Sequence, residues 1–224
     1  MGVQIGTSLP LPLDGSLDSI PQLKGYDGTG SFTAVIDTGV DYTHAHLGGP
    51  GTVEAWQAAS AEGATERIDD LWQDKPLFPT AKVVAGYDFA GRHYNPPHLC
   101  SAAQEKAGEC TSTPKPDMDP LDGGGHGTHV SGITAGNAFP NGLSDGVAPG
   151  AKLIGLKIYG EGGGDEAADM LVDAIEWCGN VNLTLEQRGT IPPRVDAVNI
   201  SLGEDWAVAS TLFDTTAAGA AAAG

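Results

Sequence analysis

Asp37 and His126 are the residues whose types and surroundings point to chemistry. Asp37 sits in an apolar, β-branched run, TAVIDTGV (33–40), and His126 lies in GGGHGTHVSGITAG (123–136). An aspartate at the end of such a run is able to serve either of two chemistries. Paired with a second carboxylate it shares one proton and activates water. Set against an imidazole it fixes the ring's tautomer and stabilises the imidazolium. The first chemistry needs a second Asp-Thr-Gly or Asp-Ser-Gly, or a dimer of single-motif chains. This chain has one such triplet, and Asp214-Thr215-Thr216 lacks the glycine. The glycines before His126 let the backbone turn and approach its neighbours closely. Small residues at Gly127, Thr128, Ser131, Gly132 and Ala135 suit a helix packed tightly beneath a cleft. His129, three residues on, invites a zinc reading, but no Glu is adjacent and no third ligand follows. It is read as a helix-packing histidine.

A carboxylate and an imidazole 89 positions apart meet only if the fold brings them together. SFTAVID (31–37), KVVAGYDF (82–89), AKLIGLKIY (151–159) and RVDAVNISL (194–202) read as strands. Their near-continuous hydrophobicity predicts a parallel sheet covered on both faces. DEAADMLVDAIEWC (165–178) predicts a helix with a stripe of Ala168, Leu171, Val172, Ile175 and Trp177 or Cys178, and acidic residues in its first turn. A second helix is expected from about Asp205 into the Ala-rich tail. Strands alternating with helices predict a three-layer α/β/α fold with a mostly parallel central sheet and right-handed crossovers. Catalytic groups in such sheets gather beyond the carboxyl ends of the strands, where Asp37 sits. The chain reads as one domain over 1–224. Residues 1–26 form an irregular N-terminal segment and 90–122 an acidic, Pro/Gly-rich surface insertion.

Eleven basic side chains against 29 acidic ones give a net charge of −18. Binding phosphate requires clustered Lys and Arg, so nucleic acid and anionic membrane are poor partners; the charge reads as an aid to solubility. No run approaches the ~18–20 consecutive apolar residues of a membrane span. The N-terminus has no Lys or Arg before Lys24 and no unbroken apolar core, so it is not read as a signal peptide; an export signal would lie outside this sequence. Three cysteines are too few for a disulfide scaffold. Cys100 and Cys110 flank SAAQEKAGE, and a bridge between them would add about 2–3 kcal/mol and imply an oxidising compartment. Cys178 reads as a buried free thiol.

With GVAPGAKLIGLKIYG (146–160) and VNISLG (198–203) added, the chain resembles the subtilisin-like serine proteases from Asp27 onward. Val-Ile-Asp-Thr-Gly, Gly-His-Gly-Thr-His-Val, Gly-Val-Ala-Pro and Ser-Leu-Gly fall in that family's order. DYTHAHLGG, the KVVAGYDF strand and the Asp/Pro-rich stretch before the histidine resemble its larger secreted members. The resemblance implies a serine-type endopeptidase with an Asp-His-Ser triad. His126 is then the general base and Asp37 its orienter, because a serine hydroxyl attacks only with a neutral imidazole in hydrogen-bond reach. It further implies that substrate backbone pairs with Ser201, Leu202 and Gly203, with a second edge at Gly160, Gly162 and Gly163. Glu204 stands where the family commonly has another glycine. Polypeptide substrates, an extracellular location, a monomeric whole protein and no organic cofactor complete the implication.

The family's Gly-Thr-Ser-x-Ala-x-Pro nucleophile segment and its oxyanion-hole Asn strand end are absent from the sequence. Ser131, Ser201 and Ser210 have no nucleophile-turn context. Removing a nucleophile costs orders of magnitude in rate. The expectation is therefore the N-terminal part of a catalytic domain, incomplete at the C-terminus, carrying the Asp and His only and nearly inert alone. An exposed sheet edge would make it marginally stable in isolation. The alternatives are a catalytically dead subtilase-fold binding module and, remotely, an aspartic protease. The resemblance also implies calcium. After the His helix, NAFPNGLSDG offers Asn137, Asn141 and Asp145 as oxygen donors. The family's His-Pro-Asp-Leu run is here His44-Ala45-His46-Leu47, a histidine where a hard cation prefers oxygen. Asp117, Asp119 and Asp122 are a further candidate set, or else a solvated acidic loop.

Overall fold

The computed structural model describes residues 25–63, 76–138, 145–161, 168–179 and 194–202. The helix expected from Asp205, the substrate candidates Gly162, Gly163 and Gly203, and the calcium candidate Asn141 lie outside them. The four expected strands form as β1 (Phe32–Asp37), β2 (Val83–Asp88), β3 (Lys152–Lys157) and β4 (Ala197–Ile200). They make one sheet in the order β2-β3-β1-β4, every pair parallel. Asp37 ends β1 opposite Lys157 of β3, and Ile36 faces Ile200 of β4. The helices are α1 (Val53–Gly63), α2 (Ala102–Ala107), α3 (His126–Ala135) and α4 (Ala168–Cys178), with a 3₁₀ turn at Ala45–Leu47.

Successive strand residues point to opposite faces, and both faces of the inner strands are apolar. Ala34 and Ile36 of β1, with Ile154 and Leu156 of β3, pack toward Met170, Ala174 and Trp177 of α4. Val35, Leu153 and Val83 pack toward Val130 and Ala135 of α3, with Tyr42, Leu47 and Phe78. The result is an α/β fold, a parallel central sheet with flanking helices. Parity along β1 turns Asp37 to the side that α3 covers.

Two local expectations are corrected. In α4 the best-buried positions are Met170, Ala174, Ile175 and Trp177, whereas Leu171 is only partly buried. Ile175 and Trp177 of the predicted stripe are buried as expected, while Met170 and Ala174 take the places expected of Leu171 and Val172; Asp169, Asp173 and Glu176 recur at i, i+4 and i+7 on the polar side. β4 is not covered on both faces: Val198 and Ile200 are 43% and 40% exposed among the described residues. Cys178 is a free, half-buried thiol, and burial pushes its pKa up to about 12.

Residues 90–122 are tied down at several points. Cys100 and Cys110 form a disulfide around α2, whose start is closed by a Ser101/Gln104 capping box. Tyr94, Met118 and Leu121 are buried in the core. Asp88 and Asp117 exchange backbone hydrogen bonds of 3.0 and 2.9 Å. The solvated-loop reading of the aspartates fails, since Asp119 and Asp122 are 6% and 3% exposed. Nor do the three converge on a cation: no group of three carboxylate, His or Cys side chains suited to a metal occurs among the described residues. Asp117 accepts from the Asp119 amide at 2.8 Å. Asp119 accepts from the Tyr42 hydroxyl at 3.0 Å and the Leu121 amide at 3.1 Å.

Candidate active site

The first amides of a helix have no partner inside it. In α3 the N-cap is Gly125, whose φ of 87° requires glycine and which brings no side chain to cap with. Other residues supply the acceptors. Asp122 Oδ1 accepts from the Gly124 and Gly125 amides at 2.8 and 2.9 Å, and Oδ2 from the Thr128 amide and hydroxyl at 2.9 and 2.6 Å. The Gly127 amide donates to Thr38 Oγ1 at 2.8 Å. A Cβ on Gly127 would lie 2.1 Å from the Gly39 carbonyl oxygen and 3.1 Å from Asp37 Cβ. Glycine there is what lets the helix start touch the end of β1.

That contact sets Asp37 against His126. His126 Nδ1 lies 2.7 Å from Asp37 Oδ1, and the Thr38 amide donates to the same oxygen at 2.7 Å. Asp37 has no exposed side-chain surface while the His126 ring is 54% exposed. Asp37 Oδ2 is buried with no hydrogen-bond partner among the described residues. A buried carboxylate thus holds one nitrogen of a ring that is otherwise open to solvent.

The remaining candidates are arranged around this pair in different ways. Ser201 and Leu202 follow β4 directly, at the same end of the sheet as Asp37. Ser201 is exposed and accepts from Asn199 Nδ2 at 2.9 Å; Leu202 is half-buried. Gly160 follows β3, and a Cβ there would meet the Tyr94 carbonyl oxygen at 1.9 Å. The neighbouring chain by itself is sufficient reason for this glycine. Asn137 is half-buried and Asp145 exposed. They flank residues 139–144, which lie outside the described set, and beside them the Gly146 amide donates to the Gly136 carbonyl at 2.9 Å. His46, in the position where a cation ligand was in question, packs its ring beside Gly132 and Gly136. Ser131, weighed as a nucleophile, is fully buried on α3 and out of a substrate's reach.

Behind the sheet end lies a buried charge cluster. Lys157 Nζ is 3.3 Å from Asp88 Oδ2 and donates to the Leu121 carbonyl at 3.2 Å. Asp88 Oδ1 accepts from the Ala90 and Gly91 amides. Burial raises the Asp88 pKa to about 6, with Lys157 acting against it. Burial, followed by the Asp88 charge, raises Asp117 to about 8. Arg92 closes the outer side, 3.1 Å from Glu161.

Sequence reasoning missed Thr38, Thr128 and the place of Asp122. The usable signal was position: each stands within four residues of Asp37 or His126.

An exposed imidazole backed by a buried carboxylate, at the C-terminal edge of a parallel α/β sheet, is an arrangement able to serve general-base chemistry. The profile of the subtilase family matches residues 28–223, and the chain belongs to that family. It is 31% identical over 183 residues to Bacillopeptidase F of Bacillus subtilis (strain 168), covering 80% of this chain and 9% of that protein. It is 27% identical over 193 residues to the Minor extracellular protease Vpr of the same organism, covering 84% and 16%. A solved protease of Pseudoalteromonas arctica PAMC 21717 shares the fold with a TM-score of 0.53 at 22% identity, over 89% of this chain and 48% of that one. The chain thus spans less than half the length of each of these relatives.

Proposed function

We propose that this chain carries the Asp and His of a secreted serine endopeptidase, with His126 as general base and Asp37 as its orienter. The observation that carries the reading is the 2.7 Å contact between His126 Nδ1 and Asp37 Oδ1, buried on the carboxylate side and open on the imidazole side. His126 takes the proton of a serine hydroxyl as the oxygen attacks the scissile carbonyl, then returns it to the leaving amine. Asp37, held by the Thr38 amide, keeps the ring in the Nδ1–H tautomer and stabilises the imidazolium. No Gly-Thr-Ser-x-Ala-x-Pro segment occurs in these 224 residues. The serine and the oxyanion donors are therefore assigned to sequence outside them, and the chain alone is nearly inert.

Peptide substrate would lie between the ends of β4 and β3, pairing with Ser201, Leu202 and Gly203 on one side and Gly160, Gly162 and Gly163 on the other. The parallel register that sets β3 and β4 on either side of β1 supports this. The Cys100–Cys110 disulfide and an extracellular relative support secretion. No helix among the described residues is long and apolar enough to cross a membrane. Calcium, which the family resemblance implies, would take oxygen ligands from Asn137, Asn141 and Asp145, with a stabilising role and none in the proton transfers.

The test is fluorophosphonate labelling of the product of the full coding sequence. Labelling that disappears in His126→Ala is expected. A folded protein that does not label is the non-catalytic binding module instead.

A further inference from the structure

We infer that Asp122 is a positioning residue for the Asp37–His126 pair. Its kinetic consequence rests on the peptidase reading; its geometric consequence does not.

The carboxylate accepts five hydrogen bonds, from Thr38 Oγ1 at 3.0 Å, the Gly124 and Gly125 amides, and the amide and hydroxyl of Thr128. Burial disfavours its charge, but the Thr128 hydroxyl and these amides outweigh burial and hold the carboxyl below its ordinary range. It is an anion at the N-terminus of α3, where the helix dipole favours one.

Its donors fall on both sides of the pair. Thr38 follows Asp37, and its single hydroxyl proton is directed to Asp122. Its oxygen lone pairs are thereby turned toward the Gly127 amide, while its own amide is directed to Asp37 Oδ1. Gly125 and Gly127 flank His126. Thr128 Oγ1 in turn accepts from the Asp41 amide at 2.9 Å, tying α3 to the turn after β1 a second time. One carboxylate therefore fixes the spacing between the β1 turn and the α3 start, and that spacing is the Asp37–His126 distance. An asparagine at 122 keeps the shape but points an NH₂ at groups that are themselves donors.

A simple capping role for Asp122 would cost stability and leave the pair intact. The experiment separates the two with Asp122→Asn, Thr38→Val and Thr38→Ser. In the purified chain, the deshielded Nδ1 proton of His126 is followed by NMR, beside the melting temperature. In the product of the full coding sequence, kcat and KM for a peptide are measured. Asp122→Asn and Thr38→Val are expected to lose the Nδ1 proton signal and to lower kcat by about a hundredfold, with KM little changed. Thr38→Ser, which keeps the hydroxyl, is expected to retain both. A Thr38→Val or Asp122→Asn protein that melts lower but keeps the signal and kcat overturns the inference. If Asp122→Asn fails to fold, the two Thr38 variants decide. If the full product hydrolyses no peptide, the peptidase reading fails and the Nδ1 signal alone judges Asp122.

Discussion

Thr38 gives its amide to Asp37 Oδ1 at 2.7 Å and its hydroxyl to Asp122 Oδ1 at 3.0 Å. The residue next to the proposed orienting carboxylate is thus the link to a second carboxylate at the start of the histidine helix. The geometry of the candidate site follows from this junction between one strand end and one helix start.

Gly127→Ala tests the closeness of that junction. The added methyl meets the Gly39 carbonyl at 2.1 Å, backbone that cannot swing aside. Overpacking of this kind costs about 1–3 kcal/mol. Urea denaturation is expected to show a loss of that order, and an unchanged midpoint would contradict the packing described.

Asp117 makes stability depend on pH. Its carboxyl titrates near 8 in the folded chain, against 3.8 for the ordinary group. Between those values the folded state holds a proton that the unfolded state releases, so stability is fully present at low pH and falls as pH rises toward 8. Asp117→Asn removes this term. Its melting temperature is expected to exceed the wild type's at pH 9 and to match it at pH 4. Equal melting at both would contradict the burial of an acid at that position.

Separating Cys100 from Cys110 by substituting both with serine is expected to cost about 2–3 kcal/mol, read by denaturant titration. The bridge closes a short loop around α2, so the loss should be matched by treating the wild type with reductant.

Chelation with EDTA is expected to lower the melting temperature if the loop between Asn137 and Asp145 binds calcium. Asp145→Ala should melt at the chelated wild-type temperature and no longer respond to EDTA. A wild type indifferent to EDTA would remove calcium from the account.

The strands were legible because a parallel sheet covered on both faces demands near-continuous Val, Ile and Leu, and β1 to β3 show that pattern. β4 carries the same pattern while half its surface stays exposed, since the string does not record what covers it. In α4 the apolar pattern placed Ile175 and Trp177 in the core but missed Met170 and Ala174. Asp37 and His126 could be paired from their motifs. Asp122 could not be placed, because an aspartate in an acidic, glycine-rich stretch looks the same whether solvated, metal-bound or bonded to the backbone. Cys100 and Cys110 were spaced for a bridge, and spacing alone did not decide it.

The central claim is that Asp37 orients His126 for catalysis. Its most direct test is kcat for peptide hydrolysis by the product of the full coding sequence, compared with Asp37→Asn. The amide keeps the shape of the carboxylate but loses its charge and favours the wrong imidazole tautomer. A fall of about ten-thousandfold in kcat, in a variant that folds and keeps its KM, is the predicted result. A variant that hydrolyses peptide at the wild-type rate would contradict the assignment.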